Sequence, residues 1–101
     1  MLTFDRVLEV FSDYLDEDKS YEVLRSSRGC MVVNWENYEN DWVTAQLCQT
    51  PEDLRDILRF SYTDYQGYRI TGGYQRDLTE QEERDIERMG LELAARCEEK
   101  E

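Results

Sequence analysis

The chain has 101 residues, with 24 acidic side chains against 12 basic ones and no histidine, for a formal net charge of −12. Such a length fits one domain, and 40% hydrophobic residues suit a small core rather than a disordered tail. The sign of the charge disfavours direct binding to nucleic acid, the lack of histidine removes the commonest general acid–base group, and nothing approaches the ~20 apolar residues of a membrane span.

Residues 3–16 predict an amphipathic helix. Thr3 is the candidate cap, and Phe4, Val7, Leu8, Phe11, Tyr14 and Leu15 form one apolar stripe. The acids Asp16, Glu17 and Asp18 follow, expected in a solvated turn. Acids at a helix C-terminus oppose the macrodipole, a small sign that they serve something other than the helix.

Residues 21–48 predict three strands, at 21–26, 30–36 and 42–48, joined by turns at 27–29 and 37–41. Short links imply an antiparallel meander. Met31, Val33 and Trp35 alternate with Val32 and Asn34, and Val43, Ala45 and Leu47 alternate with Thr44 and Gln46. The first set on each strand is expected to be the face that the helices cover. Thr50-Pro51-Glu52-Asp53 then carries a capping hydroxyl, proline at the first helical position and acids in the first turn. A helix is predicted from there to about residue 70, weakened at Gly67 and ended by Gly72-Gly73. Thr79 with Glu82 fits a capping box. The last helix has a narrow stripe of Ile86, Met89, Gly90, Leu93 and Cys97, and i,i+4 pairs Glu80–Arg84 and Glu92–Arg96. Residues 98–101 are expected to fray. The expectation is a single α+β domain, order α-β-β-β-α-α, with helices packed on one face of a three-stranded antiparallel sheet.

No motif carries catalysis. Cys30, Cys48 and Cys97 form no CxxC pair and read as buried apolar residues of a reducing compartment. Gly72-Gly73 lacks the lysine of a phosphate-binding loop, and the 13–18 segment lacks the length and central glycine of an EF-hand. No enzyme activity, catalytic residue, metal or cofactor is therefore expected. The start, Met1-Leu2-Thr3-Phe4-Asp5, lacks a secretory pattern, and a cytoplasmic protein with no membrane association is expected.

The acids fall into three clusters. Asp16, Glu17 and Asp18 form one, with Asp13 nearby. Glu36, Glu39 and Asp41 form another in the second inter-strand turn. Asp77, Glu80, Glu83 and Glu87, with Glu82 and Asp85, form the densest. They read either as a solubilising surface or as an imitation of a phosphate backbone, since carboxylates three or four residues apart on a helix lie about 5–6 Å apart. Phe60, Tyr62, Tyr65, Tyr68 and Tyr74 add an aromatic series. Tyr65 and Tyr68 are expected as partial core, and Phe60 and Tyr62 are candidate anchors for a partner or a homodimer.

The motifs Phe4-x-x-Val7-Leu8-x-x-Phe11-x-x-Tyr14-Leu15, Ser27-x-Gly29-x-x-Val32-x-x-Trp35, Thr50-Pro51-Glu52-x-Leu54-Arg55-Asp56 and Asp77-Leu78-Thr79-x-x-Glu82 together span most of the chain. In these the chain resembles small acidic proteins of bacterial plasmids, conjugative elements and phages, among them anti-CRISPR proteins that inhibit type II effector nucleases. The resemblance implies a counter-defence inhibitor acting on a basic nucleic-acid-binding surface. It assigns no role to an individual residue. The alternative is a non-catalytic accessory or regulatory protein of a mobile element, acting as a homodimer.

Overall fold

The computed structural model describes residues 1–98, so residues 99–101 of the expected frayed tail lie outside the described residues. A helical segment made of α1 (Phe4–Val10) and α2 (Ser12–Glu17) precedes strands β1 (Tyr21–Ser26), β2 (Gly29–Glu36) and β3 (Asp41–Cys48). Helices α3 (Pro51–Ile70) and α4 (Glu80–Arg96) follow. The architecture is α+β, an antiparallel sheet in the order β1-β2-β3 with the helices on one face. Its extents of 41 × 37 × 18 Å are those of two layers.

The caps act as the sequence implies. Thr3 Oγ1 accepts from Arg6 N, Thr50 Oγ1 from Asp53 N, and Thr79 closes a full capping box with Glu82. The first helix is broken at Phe11, which leaves helical geometry at φ −92°, ψ 7°. There Ser12 Oγ donates to Glu9 O at 2.8 Å, a local bond that bends helices. The break turns the Phe11 ring fully into the core, with Val7, Val10 and Tyr14.

The sheet presents the face opposite to the one expected. Cys30, Val32 and Cys48 meet Phe11, Leu54 and Leu58, and Cys97 closes the end of that core. Leu24, Val43 and Leu47 remain 40–47% exposed on or beside the other face. Alternation marks two faces of a strand and not which one is covered. Small cysteine side chains at Cys30 and Cys48 let the helices approach, whereas Trp35 instead packs edge-on against Trp42 at 5.1 Å. A bulge between Asn34 and Trp35 sets that pairing.

Asp18 is a second correction. It is buried at 4% exposure rather than solvated. Its Oδ2 accepts from the buried Tyr14 hydroxyl at 2.8 Å and its Oδ1 from Ser20 N at 3.0 Å, so it fastens α2 to the start of β1. At the C-terminus, Glu98 accepts from Arg55 at 2.6 Å and is held to α3.

All three cysteines are free and buried. Burial raises each thiol pKa, that of Cys48 to about 11, and burial also raises the phenols of Tyr14, Tyr21, Tyr62, Tyr65 and Tyr74. A group with a raised folded pKa holds its proton longer in the folded state, so unfolding releases protons at alkaline pH and stability falls as pH rises. Urea midpoints are therefore expected to be level through neutral pH and to fall from about pH 8.5, where unfolded thiols ionise. A thiol reagent added under native conditions is expected to react only as fast as the protein opens.

Candidate functional site

Three of the expected surface acids on α4 are exposed and unpaired among the described residues. Glu80, Glu83 and Glu87 lie at i, i+3 and i+7, on one flank of the helix. Asp77 is exposed just before it. The other acids of that cluster are engaged. Glu82 takes both terminal nitrogens of Arg76 at 2.8 Å and accepts from Thr79 N, which pulls its carboxyl down to about 2. Asp85 accepts from Gln81, and Arg88 lies between Asp85 and Glu92. The α4 ion pairs thus centre on Arg88, not on the expected Glu80–Arg84 and Glu92–Arg96 spacings.

The turn from β2 to β3 places Glu36, Glu39 and Asp41 at the surface. Glu36 accepts from Tyr38 N and Asp41 from Trp42 N, and Asn40 adopts φ 53°, which fixes the turn. Tyr38, at its tip, is 96% exposed. An exposed aromatic ring among acids is an arrangement that cations favour. Its signal in the sequence was a tyrosine inside a polar turn. In the first cluster Asp16 and Glu17 are exposed, and Glu17 accepts from Tyr65 OH at 3.0 Å.

Two clefts join these clusters. One, of about 370 Å³ between α3 and α4, is lined by Asp64, Tyr74, Glu83 and Glu87, with Arg59 as its one base. The other, of about 340 Å³, is lined by Asp18, Glu36, Asp64, Trp35 and four tyrosines, with no base. Asp64 and Tyr74 line both. The two clefts thus share Asp64 and Tyr74, with Glu36 and the buried Asp18 lining one and Glu83 and Glu87 the other. Asp64 was not singled out in the sequence because its neighbours on the chain are not acidic and only folding joins it to the others.

Tyr74 makes the junction. Gly72 and Gly73 have φ 64° and 83°, and Tyr74 itself has φ 63°, a conformation costly for a bulky residue. The chain thereby folds back on α3. Tyr74 N donates to Thr71 Oγ1, and Tyr74 OH reaches Asp64 O and Oδ1 at 3.2 and 3.3 Å. Tyr74 and Leu78 pack closely on α3 at Gly67, where a Cβ would lie 3.3 Å from Leu78 Cδ1 and 3.4 Å from the Tyr74 hydroxyl oxygen.

The aromatic series divides differently from the expectation. Tyr62 packs on the core, edge-on to Tyr14 at 5.5 Å, and Tyr65 packs beside it. Phe60 and Tyr68 are exposed, at 73% and 56%. Among the described residues no three thiols or carboxylates converge closely enough to hold a metal ion. No described helix is long and apolar enough to cross a membrane. Comparison of the chain with protein-family models, with curated proteins and with solved structures gives no match.

Proposed function

We propose that the protein is a non-catalytic inhibitor that lays its acidic belt on the basic nucleic-acid-binding surface of a partner protein. The observation that carries this reading is that acids from separate clusters line two clefts that share Asp64, with Arg59 the only base lining either among the described residues. A solubilising surface needs no such arrangement, and a long run of like charge works against folding. Carboxylates on a rigid helix about 5–6 Å apart present a row of negative charge to lysines and arginines that ordinarily hold phosphates. The resemblance of the sequence to anti-CRISPR proteins makes a type II CRISPR effector nuclease the partner to test first. Such nucleases hold their guide–target heteroduplex in a positively charged channel.

The test is Glu80→Gln with Glu83→Gln and Glu87→Gln in one chain, titrated against a purified type II effector nuclease. Three exposed charge contacts at about 0.5–1 kcal/mol each imply about 10–100-fold weaker binding. The salt dependence of the affinity is expected to flatten as well. Parent-like affinity with a parent-like salt slope would remove the belt from the account.

One observation favours a second reading, a homodimer. From Trp42 to Pro51 no residue is charged, in a chain where 36% are. Trp42 to Leu47 are exposed along an edge strand that, among the described residues, pairs only with β2. Such an edge is a template for another strand. Two copies paired through β3 would form one six-stranded sheet and extend the uncovered apolar face. Sedimentation then gives twice the 12.1 kDa chain mass. That association strengthens with salt as the two acidic copies are screened, the opposite sign from binding to a basic partner. A monomer at high salt and high concentration removes the second reading.

A further inference from the structure

The base-free cleft differs from the rest of the belt in having aromatic walls. Trp35, Tyr21, Tyr65, Tyr68 and Tyr74 line it, together with Asp18, Glu36 and Asp64. Tyr68 and Tyr74 stand edge to face, with ring centroids 5.8 Å apart. Each acid comes from a different element or joint. Asp18 follows α2, Glu36 ends β2, and Asp64 lies on α3.

The protein has already filled some of the hydrogen-bonding capacity here. Asp18 holds Tyr14 and Ser20, Glu36 holds Tyr38 N, and Asp64 faces Tyr74 OH. No lysine or arginine pairs with any of the three among the described residues. No base lines the cleft among the described residues, and Arg69, near Tyr65, is held by Gln66. The nearby phenols do not compete for positive charge as anions, because burial and the neighbouring Asp64 hold the protons on Tyr21 and Tyr74.

A small inorganic cation does not suit this arrangement, since the carboxylates surround a cleft of about 340 Å³ without converging on a point. A flat organic cation does. Its faces stack on aromatic rings, and its N–H groups reach carboxylates in the same plane. The strained backbone at Tyr74 keeps one of those rings in place.

We propose that this cleft is a receptor for an arginine side chain of the partner protein. The inference rests on the reading of the protein as a binder of a basic surface. It adds one defined anchor to an otherwise diffuse electrostatic contact. The guanidinium stacks beside the Tyr68–Tyr74 pair and donates toward Asp64 and Glu36.

The experiment needs no partner. N-acetyl-arginine amide is titrated into the intact protein, followed by the Trp35 indole N–H and tyrosine ring signals in NMR spectra. N-acetyl-citrulline amide, which has the same shape without the charge, is the control. Saturable shifts confined to Trp35, Tyr65, Tyr68 and Tyr74 are expected, at least tenfold stronger for arginine than for citrulline. Tyr68→Leu, at an exposed position, and Asp64→Asn should each weaken arginine binding about three- to tenfold while the far-ultraviolet spectrum stays unchanged. Equal responses to the two amides overturn the proposal, as do shifts spread over the whole acidic surface or a Tyr68→Leu response equal to the parent's. The charge-neutralised α4 variant leaves this cleft intact, so loss of partner binding there and loss of arginine binding here are separate failures.

Discussion

Replacing Gly29 by alanine is expected to destabilise the domain by about 4 kcal/mol, a large part of the 5–15 kcal/mol that holds a domain of this size. Gly29 opens β2 at φ 135°, a region that side chains avoid. A Cβ there would lie 2.2 Å from the carbonyl oxygen of Cys48, and 3.1 Å from Gln49 Cα. Both obstacles are backbone, so no side-chain rotation relieves the overlap. To make room, β2 must move from the end of β3, where Cys30 and Cys48 pair and both are fully buried. Gly72→Ala is the control. It too has positive φ, at 64°, but nothing lies within 4 Å of the added Cβ. Its cost should be the local strain of about 1 kcal/mol. Urea unfolding of the two variants separates them. Equal costs would show that the close approach to Cys48 does not constrain the fold.

Phe11→Ala is expected to cost about 3–5 kcal/mol, the range for deleting a buried aromatic ring. Phe11 is fully buried at the joint between α1 and α2, in the cluster that links the helices to the sheet. Its backbone has left helical geometry, so the helix cannot simply straighten to refill the space without moving Val7, Val10 and Tyr14. Phe60→Ala serves as the comparison. That ring is 73% exposed, and its loss should change stability by less than about 0.5 kcal/mol. Phe11 is fully buried, so a partner-binding assay run below the Phe11→Ala melting temperature should give parent-like affinity for that variant.

Much of the fold could be read before any coordinates. Local signals with a direct chemical cause held: β1 spans Tyr21–Ser26 as expected, α3 ends at Ile70, and the Thr79 capping box forms. What failed depended on packing. Met31, Val33 and Trp35 outweigh Cys30, Val32 and Asn34 in apolar bulk, yet the helices sit on the second set, because close approach favours small residues. Asp18 could not be told from its acidic neighbours, since only the buried Tyr14 hydroxyl makes its carboxylate necessary.

The candidate surface was legible in pieces. Glu80, Glu83 and Glu87 share a helix flank, as helical spacing requires. Their connection to Glu36 through Asp64 and Tyr74 was not visible. It depends on a reversal at Gly72-Gly73 that brings Tyr74 back onto α3 beside Gly67. Two glycines announce a turn, but not where the chain goes afterwards.

If the acidic surface takes the place of nucleic acid on a basic partner, the two must compete for it. A purified type II effector nuclease is loaded with fluorescent guide RNA, or with guide and a labelled target strand, and the protein is titrated in at fixed ionic strength. The protein and one of these nucleic acids are expected to exclude each other, with the label released as the protein binds and the release weakening steeply with added salt. A stable ternary complex in which protein, guide and target are all bound, with nucleic-acid affinity unchanged, would contradict that exclusion.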